Sequence, residues 1–374
     1  MRGYPDRALI LNACLRETWR RIIAPMVRLA KQPIPGLVLL LLVPALLILC
    51  YGTQPNTNVD HQPGVLRADE DVRLQFVATS ALGTHEGAIV VIDPESGRVR
   101  VVVNAPLAFQ SAFPPGSTIK PFTTLAALQS GVITKDTRMR CPGKYKRDET
   151  IDDCSHPENL DAFDPIQALA YSCNYYFATA GQRLERDSFA RLLSDFGFGQ
   201  ATGIDGERES TGVLARERWR PESAVGEGPF LQVTPIQMAM AYATLINGGR
   251  LLMPTNAGGK AVRAQLRITD QERSILLGGM RGAIMYGTAE RADLASLPAF
   301  VVGKTGTSTQ LAGSRSQGWF VGVAFQDDKQ TGPWDAKLLV VVFMKNAHGS
   351  DAAEVAAPIF EAFAGRQRHQ AEAN

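Results

Sequence analysis

Several features that would point towards a function are scarce in this chain. Its 39 Lys and Arg residues nearly balance its 37 Asp and Glu residues, which leaves a net charge of +2 over 374 residues. Because electrostatic binding to nucleic acid needs a clear basic excess, no nucleic-acid partner is predicted. The five histidines are scattered along the chain, and no internal repeat or low-complexity block is present. The ordinary proportions of apolar and charged residues predict a globular protein of one large or two modest domains.

One apolar run stands near the N-terminus. Residues 34–52 carry no charge and are rich in leucine, and seven basic residues precede them against two acidic ones. About 20 apolar residues cross a bilayer, and basic flanks favour the cytoplasmic side. The pattern predicts a cytoplasmic tail over 1–33, a single-pass transmembrane helix over 34–52, and later residues outside the cytoplasm.

Other interpretations of this run are less well supported. A buried core helix does not fit an uncharged run behind a basic flank. A cleaved signal peptide is disfavoured by the long basic region and by the lack of a small-x-small cleavage site. A lipoprotein at Cys50 is disfavoured by the bulky Leu49 before it. The basic tail itself fits either an amphipathic helix on the membrane surface or a solvated segment.

Two of the five cysteines bracket a polar loop. Outside the cytoplasm, Cys141 and Cys154 favour a disulfide, which would stabilise the fold by about 3 kcal/mol in the chain-entropy model. The rival interpretation is a zinc site that uses His156, but it lacks a clear fourth ligand. No metal and no cofactor are therefore predicted, and Cys173 is interpreted as a small buried filler.

The remaining chain alternates between strand and helix patterns. Residues 53–85 begin with a stretch rich in proline, asparagine and glutamine and are predicted to be a linker. Residues 87–103 form two β-branched runs around a turn, which predicts a hairpin. Helices are predicted over 117–130, 163–184, 187–196, 234–247, 269–286 and 351–364. Further strands are predicted over 300–302, 318–325 and 337–344.

Strands at both ends with helices between them predict one domain over 86–366. Its fold class is α/β of the α+β type, in which the late strands complete a sheet begun by the hairpin and a helical lobe is inserted. A polar tail is predicted over 367–374.

Three short polar motifs carry the chemistry. Ser117 and Lys120 lie three residues apart where a helix begins, so that the amine can reach the hydroxyl on one helix face. Free backbone N–H groups and the positive end of the helix dipole suit a developing oxyanion there. Taken alone, such a pair is usually a helix cap and a surface lysine.

The other two motifs are weaker in isolation. Ser172 and Asn174 flank Cys173 and would ordinarily be a turn or cap. The segment Lys304-Thr305-Gly306-Thr307 follows a strand, and its two threonines project to the same side. Gly306 leaves room for a ligand backbone to pair with the strand edge. An exposed edge strand guarded by a lysine is the plainer interpretation.

Together and in this order, the three motifs resemble those of the penicillin-binding proteins and serine β-lactamases. The resemblance extends over about residues 86–350. It includes Gly226-Glu-Gly, Gly287-Thr-Ala and Gly318-Trp-Phe, which are typical of large membrane-anchored transpeptidases. It implies an antiparallel five-stranded sheet flanked by helices with an inserted all-helical lobe.

The resemblance also implies a role for each motif residue. Ser117 would attack a D-alanyl-D-alanine stem peptide of peptidoglycan, and Lys120 would accept its proton after burial or the cation of Lys304 had lowered its pKa. Ser172 would relay a proton to the leaving amine, and Asn174 would orient the substrate and Lys120. The family resemblance implies further roles for three positions: a carboxylate site at Thr305 and Thr307, and an oxyanion hole from the backbone N–H groups of Ser117 and Thr307.

Three functions compete within this family. The first is a penicillin-binding D,D-transpeptidase for cell-wall synthesis and cell shape, anchored in the inner membrane with its catalytic domain in the periplasm. The second is a hydrolase, either a D,D-carboxypeptidase or a β-lactamase. The β-lactamase is disfavoured because Glu207 and Glu209 lack the pattern of a water-activating base. The third is a non-turnover β-lactam sensor. Because few residues separate the anchor from the hairpin, a separate glycan polymerase is predicted as a partner.

Overall fold

The computed structural model describes residues 69–143, 154, 156–157, 160–256, 261–309, 316–325 and 335–372. At its centre is a five-stranded antiparallel sheet with the strand order β2-β1-β9-β8-β7. The strands are β1 (Gly87–Ile92), β2 (Val99–Val103), β7 (Val301–Thr309), β8 (Ser316–Phe325) and β9 (Ala336–Lys345). The predicted hairpin and its continuation by late strands are confirmed.

Four short strands form two ribbons outside the main sheet. They are β3 (Val213–Leu214) with β4 (Leu231–Gln232), and β5 (Arg250–Leu252) with β6 (Val262–Gln265). The helices are α1 (Asp69–Leu82), α2 (Lys120–Gln129), α3 (Pro165–Ala170), α4 (Asn174–Gly181), α5 (Arg186–Asp195), α6 (Pro235–Ile246), α7 (Asp270–Met285) and α8 (Gly349–Glu372).

Helices cover both faces of the sheet. On one face α1 and α8 bury one apolar cluster, and on the other α2 and α6 belong to a larger one. Strand β1 is buried at all its positions, since neither face meets solvent. In the helical lobe, Phe122 of α2 packs edge-on against Phe196, Phe198 and Tyr242, which anchors the helix that follows the first motif.

Part of the predicted linker is instead a packed helix. Within 53–85, α1 buries Leu74, Ala78 and Leu82, which recur every four residues on one helix face. Asp71 is buried in the same helix and pairs with Arg98, which directly precedes β2, and with Arg100 of β2. The linker interpretation failed for this segment because the arginine partners of Asp71 are distant in sequence. A local pattern does not show that a charged residue will be paired and buried.

Two predicted helices have different bounds. The helix predicted over 163–184 is broken into α3 and α4, because Asp164 starts α3 with a capping box and residues 171–173 end it. The last helix continues to Glu372, so most of the tail predicted over 367–374 has a helical backbone.

The predicted cytoplasmic tail, the transmembrane anchor and the first part of the linker lie outside the described residues. Among the helices that are described, none combines the length and the apolar character needed to span a bilayer.

Candidate active site

The first motif lies on a tightly held turn. Residues Gly116–Ile119 form a 3₁₀ turn that leads directly into α2, so Ser117 stands just before the helix N-terminus. The Tyr242 hydroxyl donates to the carbonyl oxygen of Thr118 at 2.6 Å. The Trp319 indole donates to the carbonyl oxygen of Pro114 at 3.0 Å. The half-buried Ser117 side chain is thus carried by a backbone that is fixed on both sides.

Lys120 is fully buried and points at the second motif. Its Nζ donates to the carbonyl oxygen of Ser172 at 2.8 Å, to Ser172 Oγ at 3.2 Å and to Asn174 Oδ1 at 2.5 Å. Asn174 therefore orients Lys120, in keeping with the role implied for it. None of these three bonds involves Ser117, so the direct contact between Ser117 and Lys120 stays a prediction.

The break between α3 and α4 presents the second motif to Lys120. Ser172 has a φ of +56°, in the left-handed region that a residue with a side chain seldom adopts. The chain then re-enters a helix at Asn174, with the Cys173 sulfur accepting from the N–H of Tyr176. This sharp reversal directs both the carbonyl and the hydroxyl of Ser172 towards one amine. Such strain persists only where the surrounding structure enforces it.

Lys304 reaches the same hydroxyl from the sheet. It lies in β7, is fully buried, and its Nζ donates to Ser172 Oγ at 2.8 Å and to the carbonyl oxygen of Thr305 at 3.1 Å. Lys120 and Lys304 therefore meet at one oxygen. The structure brings Lys120, Ser172, Asn174 and Lys304 into a continuous hydrogen-bonded group, although 132 positions separate Ser172 from Lys304.

Burial changes the protonation of both amines. It lowers the pKa of Lys120 to about 8, while the neighbouring Cys173, Cys154 and Glu227 act in the opposite direction. Burial, aided by the charge of Lys120, also holds the pKa of Lys304 well below its usual range. The sequence analysis allowed either burial or the cation of Lys304 as the cause for Lys120, and burial is the larger one. With a pKa of about 8, roughly one Lys120 in ten is neutral at pH 7.

Strand β7 passes directly against the Ser117 turn. A Cβ added at Gly306 would lie 2.7 Å from the carbonyl oxygen of Pro115, and one at Gly116 would lie 2.5 Å from the carbonyl oxygen of Thr307. Only glycine permits so close an approach of two backbones. The backbones of Ser117 and Thr307 are therefore neighbours, as the predicted oxyanion hole requires. Because β7 is an edge strand, alternate backbone groups along it are left for a ligand.

Thr305 and Thr307 of β7 lie at the N-terminus of α8. Thr307 Oγ1 accepts from the N–H of Gly349, the first residue of α8, at 3.0 Å. Thr305 Oγ1 shares a 2.5 Å hydrogen bond with Thr288 Oγ1. The positive end of the α8 dipole lies beside both hydroxyls, which suits the carboxylate site predicted for them.

Some residues of this site were not singled out as functional by the sequence analysis. Thr288 lies in Gly287-Thr-Ala, where a family resemblance was the only available signal. Gly226 packs on the carbonyl group of Gly116, and the Gly116 N–H donates to the carbonyl oxygen of Gly226 at 3.1 Å. In the sequence, Tyr242 and Trp319 have the pattern of ordinary core residues. Their hydrogen bonds to the Ser117 turn are visible only in the structure.

A sulfur cluster adjoins the second motif. The Sγ atoms of Cys141 and Cys154 are 3.6 Å apart, and those of Cys154 and Cys173 are 3.8 Å apart. With His156, their potential ligand atoms all lie within 4.8 Å of one another. The Cys141 and Cys154 thiols are free and adjacent in this structure, and the disulfide between them stays a prediction.

The geometry of this cluster fits a zinc ion. With Zn–S bonds of about 2.3 Å, sulfurs at two corners of a tetrahedron lie about 3.8 Å apart, close to both observed separations. Nδ1 of His156 lies 3.0 Å from the carbonyl oxygen of Pro157, to which it can donate, and this leaves the lone pair of Nε2 free to bind a metal. That Nε2 is buried and has no hydrogen-bond partner among the described residues. The sequence analysis set zinc aside for want of a fourth ligand, and Cys173, interpreted as a filler, supplies it.

A comparison with models of protein families shows to which family the chain is related. Residues 87–364 match the model of the penicillin-binding protein transpeptidase domain. The chain belongs to this family. The matched range contains all three motifs, and the sheet and site described above are thus those of a penicillin-binding transpeptidase domain.

Individual relatives agree with this membership. The peptidoglycan D,D-transpeptidase MrdA of Acinetobacter baumannii is 26% identical, over 78% of this chain and 52% of its own length. The chain thus spans about half the length of that curated relative. Among solved structures, Pseudomonas aeruginosa PBP2 in complex with WCK 5153 is 26% identical with a TM-score of 0.65, over 78% of this chain and 76% of that one. A peptidoglycan synthase complex, solved to address the coordination of polymerization and crosslinking, has a TM-score of 0.64 at 24% identity, over 79% of this chain and 60% of that one.

Neither carboxylate considered for a β-lactamase is arranged as a base. Glu209 is buried and accepts from the N–H groups of Thr202 and Gly203, each at 2.7 Å. It therefore stabilises its own loop. Glu207 is exposed in a 3₁₀ turn. The charge of a different acidic residue, Glu227, raises the pKa of Lys120.

Proposed function

We propose that this chain is a peptidoglycan D,D-transpeptidase that forms a serine acyl-enzyme from D-alanyl-D-alanine stem peptides and is acylated by β-lactams. The observation that carries the proposal is the meeting of two buried lysines at Ser172 Oγ, one of which, Lys120, follows Ser117 by one helical turn. This arrangement supplies a base and a proton relay without a histidine. The curated relatives are peptidoglycan D,D-transpeptidases, which supports the same activity.

Acylation begins with neutral Lys120 accepting the proton of the Ser117 hydroxyl. The serine oxygen bonds to the carbonyl carbon of the penultimate D-alanine, and the negative charge develops on the carbonyl oxygen. The N–H groups of Ser117 and Thr307 are the donors proposed for that oxygen. Since Lys120 makes hydrogen bonds to Ser172 and Asn174, it is held near the turn before substrate arrives.

Collapse of this intermediate breaks the amide bond and releases D-alanine. Its nitrogen needs a proton, and Ser172 lies between the two amines that can supply one. The hydroxyl gives its proton to the leaving nitrogen and takes one from Lys120, which restores the neutral base. An acceptor amine from a neighbouring stem peptide then displaces Ser117, and the same groups act in reverse.

The setting of the enzyme is proposed from the sequence outside the described residues. The basic residues before the apolar run support an inner-membrane anchor with a cytoplasmic N-terminus and a periplasmic catalytic domain. The likeness to the transpeptidase of a peptidoglycan synthase complex supports a separate glycan polymerase as partner.

A hydrolase is the second candidate, and Glu227 favours it. Its loop packs on the Ser117 turn through Gly226, and its charge acts on Lys120. A carboxylate in this position is a candidate to activate water for deacylation, as a D,D-carboxypeptidase or a β-lactamase requires. Persistence of the acyl-enzyme distinguishes the two functions.

The test uses the full chain in detergent with a fluorescent penicillin. We expect covalent labelling that persists for many minutes, that is lost in Ser117→Ala, and that is retained in Ser130→Ala, a serine just after the other end of the same helix. Rapid loss of the label would favour the hydrolase. A wild-type chain that takes up no label would refute the assignment of Ser117. Incubation with peptidoglycan strands then separates cross-linked from trimmed products.

A further inference from the structure

An open cavity of about 400 Å³ lies along α7, outside the hydrogen-bonded catalytic group. Its lining includes Arg273, Ser274, Arg281, Met285 and Tyr286, and it is called the α7 cavity below. Arg273 and Arg281 are eight residues apart, so their backbones are separated by about 12 Å along the helix axis. The α7 cavity therefore follows about two turns of helix, a length that suits an extended peptide of three to four residues better than a small anion.

Arg281 places a positive charge in this cavity. Its Nη1 donates to the carbonyl oxygen of Val301 at 2.8 Å, and its Cζ lies 5.0 Å from the centroid of the Phe300 ring. Burial lowers the pKa of Arg281, and no carboxylate among the described residues offsets this effect. The guanidinium stays charged even so, and its remaining N–H groups match the geometry of a carboxylate. The surroundings of Arg281 therefore favour a ligand with a negative charge.

The rest of the lining combines a second cation with apolar side chains. Arg273 is buried, which lowers its pKa, and the charge of Asp270 opposes this shift. Met285 and Phe300 line the same cavity, and Met285 is 47% exposed. A flexible methionine adapts to small aliphatic groups. The α7 cavity thus has the chemistry to bind a peptide that carries a carboxylate and small apolar side chains.

The chain that follows α7 connects this cavity to the catalytic site. Tyr286 directly follows the helix, is 43% exposed, and its ring centroid lies 5.5 Å from that of Tyr171, the residue before Ser172. Two residues later, Thr288 shares a hydrogen bond with Thr305 of the predicted carboxylate site. The α7 cavity therefore lies on the side of the site at which the leaving D-alanine is proposed to bind.

An acceptor peptide must approach from that side. Its amine takes the position of the leaving nitrogen, next to Ser172, because its attack is the reverse of the departure of D-alanine. The remainder of the acceptor then extends past Tyr286. In β7, Val301 precedes Lys304 by three residues, or about 10 Å, and Arg281 contacts the Val301 carbonyl oxygen. Three extended residues span this distance, and the acceptor stem peptide, like the donor, ends in a carboxylate.

We propose that the α7 cavity is the acceptor subsite, in which Arg281 binds a carboxylate of the acceptor stem peptide, Arg273 adds to the attraction, and the acceptor amine lies beside Ser172. In the transfer step the acceptor nitrogen bonds to the acyl carbon, and the ester bond to the Ser117 oxygen breaks. The proton of the amine passes through Ser172 and Lys120 to that oxygen. The identity of the ligand rests on the proposed transpeptidase function, whereas the preference of the cavity for a peptide carboxylate does not.

The experiment uses the full chain in detergent with a fluorescent donor peptide that ends in D-alanyl-D-alanine. Two acceptors are compared, tri-L-alanine and its C-terminal carboxamide, which differ in the charge at one end. Each transfer rate is divided by the rate of transfer to isotope-labelled D-alanine, which reverses the first step and is too short to reach the α7 cavity. We expect the wild-type chain to prefer the carboxylate over the carboxamide by about tenfold.

Variants locate the origin of this preference. Ser274→Glu adds a negative charge at an exposed position of the α7 cavity, and Arg281→Gln removes a positive one. Both should abolish most of the preference. Ser80→Glu is the matched control, because it adds the same charge at an exposed serine of α1 that does not line the cavity, and it should keep the preference. Equal rates with the two peptides in the wild type would overturn the proposal, as would a preference that survives in both cavity variants or disappears equally in the control.

Binding without turnover separates the subsite from the proposed function. Calorimetric titration of Ser117→Ala with each peptide measures Kd in the absence of acylation. Tri-L-alanine should bind about tenfold more tightly than the carboxamide, and adding Ser274→Glu should remove the difference. If the wild type forms no acyl-enzyme while this selectivity persists, the proposed function fails and the peptide-carboxylate site stands. Equal affinities for the two peptides would refute the subsite even in a chain that acylates normally.

Discussion

Ser172 contributes a bridging hydroxyl and a left-handed backbone, and two substitutions separate these contributions. Ser172→Ala and Ser172→Gly both remove the oxygen on which Lys120 and Lys304 converge, at 3.2 Å and 2.8 Å. Only the glycine variant also relieves the backbone at a φ of +56°. We therefore expect the two variants to share one catalytic defect and to differ in stability.

The catalytic loss follows from the bonds that remain. Lys120 keeps its hydrogen bonds to the Ser172 carbonyl oxygen and to Asn174. Lys304 keeps its hydrogen bond to the Thr305 carbonyl oxygen, so neither amine loses all its partners. What disappears is the route for a proton to the leaving nitrogen. Positioned proton transfer contributes about 10² to 10⁴ in rate, and we expect the rate of acylation to fall by about 100-fold or more in both variants.

The difference in stability comes from the backbone. A residue with a Cβ loses about 1–2 kcal/mol in the left-handed region, and glycine avoids this but loses about 0.5–1 kcal/mol through the entropy of the unfolded chain. Ser172→Gly should therefore be more stable than Ser172→Ala by on the order of 1 kcal/mol. In a protein of this size that corresponds to about 2 °C in Tm.

Rates of labelling by fluorescent penicillin and thermal unfolding of the same preparations test both parts. An alanine variant that acylates at the wild-type rate would refute the relay through Ser172. A glycine variant that unfolds at or below the temperature of the alanine variant would refute the argument from backbone strain.

Three other changes probe the surroundings of the site. Glu227→Gln removes a negative charge that raises the pKa of Lys120. In the pH–rate profile, the pH at which acylation reaches half its maximum should therefore fall below about 8. An unchanged or higher midpoint would contradict this expectation. Asp71→Ala removes the buried carboxylate that pairs with Arg98 and Arg100 and should reduce the free energy of unfolding by about 3 kcal/mol, measured by urea denaturation. The exposed Asp136→Ala should be neutral, and equal losses in the two variants would count against the buried pair. Gly306→Ala would put a Cβ 2.7 Å from the carbonyl oxygen of Pro115 in the Ser117 turn. Penicillin labelling should therefore slow by about tenfold or more. A rate near that of the wild type would show that β7 and the Ser117 turn can separate freely.

Much of this protein follows from local sequence patterns. The apolar, β-branched runs became β1, β2, β8 and β9. Of these, β1, β8 and β9 are buried nearly throughout, and strands buried on both faces need nearly continuous apolar residues, whereas the edge strand β2 is only partly buried. The Ser117-to-Lys120 spacing and the strand that holds Lys304 were also predictable, since each depends only on residues a few positions apart. These local signals, with the family resemblance, were sufficient to single out Lys120, Ser172, Asn174 and Lys304, which the structure joins by hydrogen bonds.

Properties that depend on distant partners were decided by the tertiary structure alone. The sequence predicted a helix over 163–184, whereas the folded chain reverses at Ser172, whose left-handed backbone is held by hydrogen bonds from Lys120 and Lys304. The lowered pKa of Lys120 likewise comes from burial, which the folded chain supplies. Cys173 became a potential metal ligand because the fold brings the loop of Cys141 and Cys154 against it. Sequence patterns record which residues prefer a helix, a strand or the core, but two side chains 132 positions apart become neighbours only when the whole core packs.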